Sequence, residues 1–174
     1  MRRIAVVGPG GAGKSTFSRE LGQRLAIAVV HLDRHFWNPG WVATPRPAWR
    51  AAQAELLAGE AWIADGNYGS TFDVRMARAD TVILLQPPRL VCLAGALRRA
   101  AANRGRDVQA AGCPERASLE FLRWIWRYPQ HGRPRLDAAI DRHRDHLRVV
   151  ELRSRRAARA FLDGLDDPRP AVGA

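Results

Sequence analysis

The chain has 174 residues, 47% hydrophobic and 26% charged, enough for one globular domain whose core needs neither metal nor disulfide. Two cysteines, Cys92 and Cys113, make no disulfide framework, no Cys/His cluster has zinc-ligand spacing, and no apolar run is long enough to span a bilayer. The net charge of +11 suits a polyanionic partner, nucleotide or nucleic acid, but its 27 arginines are scattered without a run of like charges and argue only weakly for DNA.

The N-terminal apolar run Ile4–Val7 stops at Gly8, too short for a secretory leader, so a cytoplasmic protein is expected. Its β-branched residues read as a buried parallel strand. The segment Gly8-Pro9-Gly10-Gly11-Ala12-Gly13-Lys14-Ser15 follows at once and fits the P-loop pattern G-x-x-x-x-G-K-[ST]. Glycines let successive backbone amides turn inward as an anion nest, while Lys14 reaches the β- and γ-phosphates. Ser15 supplies a hydroxyl for Mg²⁺, and Thr16 lies in the first turn of a helix whose positive end faces the phosphates. Phe17, Leu21 and Leu25 give that helix its apolar face. Lys14 is the only lysine in the chain, which excludes an N-K-x-D guanine motif and the strand lysine of a protein kinase.

A second strand is expected over Ala26–Leu32, running into Asp33, then a turn at Asn38-Pro39-Gly40-Trp41 and a helix over Trp49–Leu57. Trp62–Asp65 reads as a third strand meeting a turn at Gly66, and Thr81–Gln86 as a fourth. Helical spacing follows over Leu90–Asn103, Leu119–Trp126 and Asp137–Leu147, then a fifth strand at Val149–Leu152 and a helix at Ala157–Leu165. Residues 1–165 form a single domain on this reading, and 166–174 a frayed tail. Strands alternating with helices predict a three-layer α/β fold around a five-stranded parallel sheet.

Ligands of such a sheet sit beyond the carboxyl ends of its strands, which singles out Asp33 and Asp65. Asp33 is placed to take a proton from an attacking hydroxyl or to hold a Mg²⁺-bound water, with a turn cap as the structural alternative. Asp65, following an apolar strand, resembles the carboxylate that binds Mg²⁺ through water in P-loop enzymes, with a turn cap as the structural alternative. His35 and Trp37 (in an acceptor-side segment over about 34–60), with Gly66, Asn67 and Tyr68, suit an acceptor pocket. Arg75 either binds an anionic acceptor or faces solvent. Arg99, Arg104 and Arg106 fall in a turn-rich stretch, about 99–118, that reads as a lid closing over the transferring phosphoryl group, or else as a solvated helix end. Arg153 and Arg155 follow the last strand, where an adenine ring would lie.

Several separated motifs resemble the DNA topology modulation, or FlaR-like, proteins: His31-Leu32-Asp33, Phe36-Trp37, Pro39-Gly40-Trp41, Asp65-Gly66-Asn67-Tyr68, Gly112-Cys113-Pro114-Glu115, Phe121–Trp126 and Leu152–Arg155. The resemblance runs from residue 3 to about 162. It implies a P-loop NTPase fold similar to adenylate and shikimate kinases, sheet order 2-3-1-4-5 with a small lid, and Lys14, Ser15, Asp33, Asp65 and lid arginines in the roles above. Gln86 departs from the acidic residue often found before proline there. The expected activity is transfer of the ATP γ-phosphoryl group, with Mg²⁺, to a small molecule by a monomer or homodimer without membrane contact. The rival is an ATP-switched nucleic-acid-associated protein.

Overall fold

The computed structural model describes residues 1–116 and 118–165; the expected tail, 166–174, lies outside the described residues. Strand β1 (Arg3–Val7) leads through the glycine loop into helix α1 (Lys14–Leu25), followed by β2 (Val29–His31) and the one-turn helix α2 (Asp33–Phe36). A small hairpin, β3 (Trp37–Asn38) with β4 (Val42–Ala43), precedes α3 (Arg46–Leu56) and β5 (Trp62–Asp65). Helix α4 (Phe72–Met76), β6 (Thr81–Leu85), α5 (Arg89–Ala102), α6 (Leu119–Asp141), β7 (Arg148–Leu152) and α7 (Arg155–Asp163) complete the chain.

The five main strands are parallel, in the order β2-β5-β1-β6-β7, which is the order 2-3-1-4-5 when the hairpin is left out. β1 is central, with Ile4 opposite Ile63 on one side and Thr81 on the other. Strand alternation divides the core in two. Ile4, Val6, Ile63, Ile83 and Leu85 face Phe17 and Leu21 of α1, Cys92 and Ala96 of α5 and Leu162 of α7. Ala5, Val7, Ala64, Val82 and Leu84 face Leu57, Phe72, Met76 and Leu136. The start of the central strand β1 is tied to the turn before β6 by Asp80, whose Oδ2 accepts from the backbone amides of Arg2 and Arg3 at 2.8 and 2.9 Å.

Two expectations need correction. The helices expected over Leu119–Trp126 and Asp137–Leu147 are one 23-residue helix, α6, which continues through Pro129 and Pro134 and ends at Asp141. Proline removes a backbone donor and usually stops a helix. Here burial on both sides of the prolines holds the helix together: Ile125 packs into the first core, and Leu136, Ala139 and Ile140 into the second. The second strand, Val29–His31, is also shorter than the expected Ala26–Leu32, because Ala26 still caps α1 with φ +53° and Leu32 already turns into α2.

Because α6 joins both layers, Leu136→Ala is expected to destabilise the whole domain by about 2–5 kcal/mol. Urea unfolding should show a lower midpoint with an unchanged slope; a lower slope would mean that α6 unfolds separately.

Candidate active site

At Gly8 and Gly11 the glycine loop is held by backbone contacts so close that a side chain could not fit. An added Cβ on Gly8 would lie 2.2 Å from the Leu85 carbonyl oxygen, and one on Gly11 2.0 Å from that of Cys92. The contact is reciprocal: a Cβ on Gly95 of α5 would lie 2.3 Å from the Gly11 oxygen. On the other side Phe121 and Ile125 of α6 cover Gly10. Gly11 and Gly13 have φ of +73° and +91°, the left-handed region where glycine is at no disadvantage. Ala12 is buried beneath the loop, whereas Gly13, Ser15 and Thr16 are exposed, so the Ser15 hydroxyl is open to a ligand.

Lys14 is half-buried, and its ammonium donates to the Pro9 carbonyl at 3.0 Å. Desolvation lowers its pKa, and the carboxylates of Asp65 and Asp33 oppose that effect. Burial raises the pKa of Asp33, while the Tyr68 hydroxyl and the charge of Lys14 stabilise its ionised form. The structure therefore brings Lys14, Asp33 and Asp65 together, as the strand-end rule expects.

The two carboxylates are held by crossed pairing. The end of β2 supplies His31 and Asp33, and the end of β5 supplies Asp65 and Tyr68. His31 Nδ1 lies 2.9 Å from Asp65 Oδ2, and the Tyr68 hydroxyl donates to Asp33 Oδ1. The backbone adds a third tie, Leu32 N–H donating to the Asp65 carbonyl at 2.9 Å. His31 is thus the immediate partner of the buried Asp65.

The remaining expected residues are distributed unevenly. Gly66 has φ +151° and sits against Leu32, allowing the chain to turn after β5. Asn67 Oδ1 accepts from the Tyr128 hydroxyl at 3.2 Å. Trp37 forms an edge-on contact with Trp41, ring centroids 5.5 Å apart, and His35 opens onto a depression shared with Ala52, Glu55 and Leu56 of α3. Arg75 neither faces solvent nor presents itself to an anionic acceptor: it is fully buried and donates to the Gly66, Asn67 and Tyr68 carbonyls. Burial lowers its pKa to about 10.

Of the expected lid arginines, Arg99 is the one whose charge acts on both Lys14 and Asp33. Its Nε lies 3.0 Å from Glu115 Oε2, and its guanidinium carbon is 5.8 Å from the Phe121 ring centroid. Arg104 and Arg106 are exposed and meet Glu115 through backbone contacts. The same segment is tied to the β3–β4 hairpin: Trp41 Nε1–H donates to the Pro114 carbonyl at 3.2 Å, and Gly40 N–H to the Gly112 carbonyl at 2.8 Å. Arg153 is paired with Glu151 at 3.1 Å, while Arg155 opens α7 and acts on the Cys92 thiol behind Gly11. Glu115 and Gly95 went unassigned at the sequence level, since their partners are distant in the chain.

The site fits a magnesium–nucleotide ligand. A cradle of close-packed glycines, an ammonium and an open Ser15 hydroxyl suit phosphate groups. Among the described residues no group of three or more His, Cys, Asp or Glu forms a metal cage. Ser15 and Asp65 are a donor set suited to Mg²⁺ that takes its remaining ligands from phosphate and water.

No family model matches the chain. Its sequence is 27% identical over 135 residues to the shikimate kinases of Rhodococcus jostii (strain RHA1) and Rhodococcus erythropolis (strain PR4 / NBRC 100887), covering 70% of this chain and 78% of each relative. Among solved structures, a deoxyadenosine kinase from M. mycoides with bound products superposes with a TM-score of 0.52 at 14% identity, covering 94% of this chain and 98% of that one. The shikimate kinase from Acinetobacter baumannii in complex with shikimate also gives a TM-score of 0.52, at 19% identity, covering 95% and 90%. The solved structures share the fold of this chain, and the curated relatives share sequence with it over most of its length. No helix among the described residues is long and apolar enough to cross a membrane.

The Gly11–Gly95 contact yields a prediction of unusual sign. Alanine normally favours a helix over glycine by about 1 kcal/mol. Gly95→Ala should nevertheless lower Tm and weaken binding of a nonhydrolysable ATP analogue by about 10-fold, because the new methyl displaces the Gly11 backbone. Calorimetric titration beside thermal unfolding measures both; a raised Tm with unchanged affinity would contradict the contact.

Proposed function

We propose that the chain transfers the γ-phosphoryl group of ATP to a hydroxyl of a small molecule. The observation that carries the proposal is the convergence of Lys14, Asp33, Asp65 and Arg99 beside a glycine cradle at the carboxyl ends of the strands. Backbone amides over Gly8, Gly10, Gly11, Ala12 and Gly13, with Lys14 and Thr16, hold the phosphates. Ser15 and Asp65 hold Mg²⁺, which when bound neutralises phosphate charge. Asp33 takes the acceptor's proton as the acceptor oxygen bonds to the γ-phosphorus and the bond to the β–γ bridging oxygen breaks, releasing ADP. Arg99 stabilises the charge that develops on the transferring group, with Arg104 and Arg106 on the adjoining lid segment. Arg155, more than Arg153, belongs to the adenine side, since Arg153 is paired with Glu151.

The acceptor side is formed by Asp33, Trp37, Asn67 and the hairpin, with His35 at its margin. The curated relatives are shikimate kinases, which favours a small polyhydroxylated metabolite in the first round of testing. Nucleosides come next, since one solved structure of the same fold is a deoxyadenosine kinase. The DNA topology resemblance carries the second reading, an ATP-responsive nucleic-acid binder, and its physical support is the net charge of +11.

A coupled ADP-release screen over shikimate and other polyols, sugars, nucleosides, nucleoside monophosphates and aminoglycosides tests the proposal. At least one acceptor should raise ADP release. With that acceptor, Asp33→Asn should lower turnover by at least about 100-fold while ATP binding changes by less than about 2-fold. ADP release that responds to duplex DNA and to none of these small molecules would overturn the proposal in favour of the second reading.

A further inference from the structure

Tyr68 is in an unusual position for a residue expected to contact an acceptor. Its hydroxyl is already engaged with Asp33 Oδ1, and among the described residues no other hydrogen bond reaches that carboxylate. Its ring is caged by two others: the Phe36 centroid is 4.5 Å away and the Trp49 centroid 5.0 Å, with Phe36 and Trp49 themselves 5.2 Å apart. Trp49 is completely buried, so the cage is anchored in the core of the acceptor side.

The backbone that carries Tyr68 is fixed from below. Arg75 donates to three consecutive carbonyls, at 2.7 Å to Gly66, 3.2 Å to Asn67 and 3.3 Å to Tyr68. Thr71 adds a fourth constraint: its hydroxyl donates to the Tyr68 carbonyl at 3.3 Å and accepts from Gln53 Nε2 at 2.6 Å. Among the described residues no carboxylate forms an ion pair with Arg75. A fully buried guanidinium spent on backbone carbonyls is a costly way to close a turn. Neutral side chains or a tighter turn would serve if the geometry of residues 66–68 had no further consequence.

We propose that Tyr68 is the positioning residue for Asp33, and that Arg75 acts through the 66–68 backbone to hold Tyr68 in place. The proposal rests on the reading of Asp33 as the group that takes the acceptor's proton. Tyr68 occupies one carboxylate oxygen and leaves the other for the acceptor hydroxyl. The phenol also favours the ionised form of Asp33 against the effect of its burial. Since Asp65 directly precedes this segment, one clamped stretch of chain places both site carboxylates: Asp65 through its own strand, and Asp33 through Tyr68.

The test needs no acceptor. In the full chain labelled with ¹³Cγ-aspartate, the Asp33 carboxyl resonance is assigned by its disappearance in Asp33→Asn and followed through a pH titration. The groups facing Asp33 are the Tyr68 hydroxyl, Lys14, Asp65 and Arg99. In Tyr68→Phe the ring and its cage remain while the donor is lost, so the Asp33 midpoint should move upward. Arg75→Met should move it in the same direction, although Arg75 donates to backbone carbonyls and not to Asp33. An Asp33 midpoint unchanged in Tyr68→Phe overturns the proposal. Should Arg75→Met fail to fold by circular dichroism, Tyr68→Phe decides alone. Failure here, with Asp33→Asn still abolishing ADP release, removes Tyr68 and leaves the phosphotransfer reading standing. Failure of the acceptor screen does not affect this titration.

Discussion

Where the central strands end, a half-buried ammonium lies within electrostatic reach of two carboxylates, and the rest of the site is arranged around keeping those charges in balance. Desolvation works against the charge of Lys14, and Asp65 and Asp33 oppose that effect without cancelling it. Desolvation works equally against Asp33, whose ionised form depends on Tyr68 and Lys14. Removing one member leaves an uncompensated charge in a poorly solvated place, which is expensive. This explains why β2 and β5 each deliver a carboxylate and a donor, and why the pairs cross, His31 to Asp65 and Tyr68 to Asp33. Arg99 adds a second cation from the end of α5, held by Glu115.

The same balance depends on backbone packing. The loop that presents Lys14 lies against α5 through two glycines, Gly11 and Gly95, and beneath Phe121 and Ile125 of α6. Helix α6 then runs on to place Tyr128 against Asn67 and Leu136 in the opposite core layer. One helix thus connects the glycine loop, the segment of Asn67 and both halves of the core. The turn-rich segment after α5 is not separate from the hairpin either: its Gly112 and Pro114 carbonyls take hydrogen bonds from Gly40 and Trp41.

Much of this was legible in the sequence where the information is local. The glycine loop between a β-branched run and an amphipathic stretch announces its own chemistry, and Asp33 and Asp65 stand out because apolar strands run into them. The sheet order followed from the family resemblance and not from periodicity. What escaped detection depends on distant partners. The gap expected between Trp126 and Asp137 is closed because the burial that carries α6 past Pro129 and Pro134 comes from two separate core layers. Arg75 read as a surface or ligand-binding cation because nothing in its own segment reveals three carbonyls turned toward it. Gly95 looks like an indifferent helical glycine until Gly11 is laid against it. His31 and Glu115 acquire meaning only from Asp65 and Arg99.

The central claim is that Lys14 provides the positive charge on which phosphate binding depends. Lys14→Met keeps the length of the side chain and removes the ammonium. Calorimetric titration with a nonhydrolysable ATP analogue and Mg²⁺ should show affinity at least about 10-fold lower than wild type, in a protein whose circular dichroism is unchanged. Equal affinity in a folded Lys14→Met protein would contradict the account.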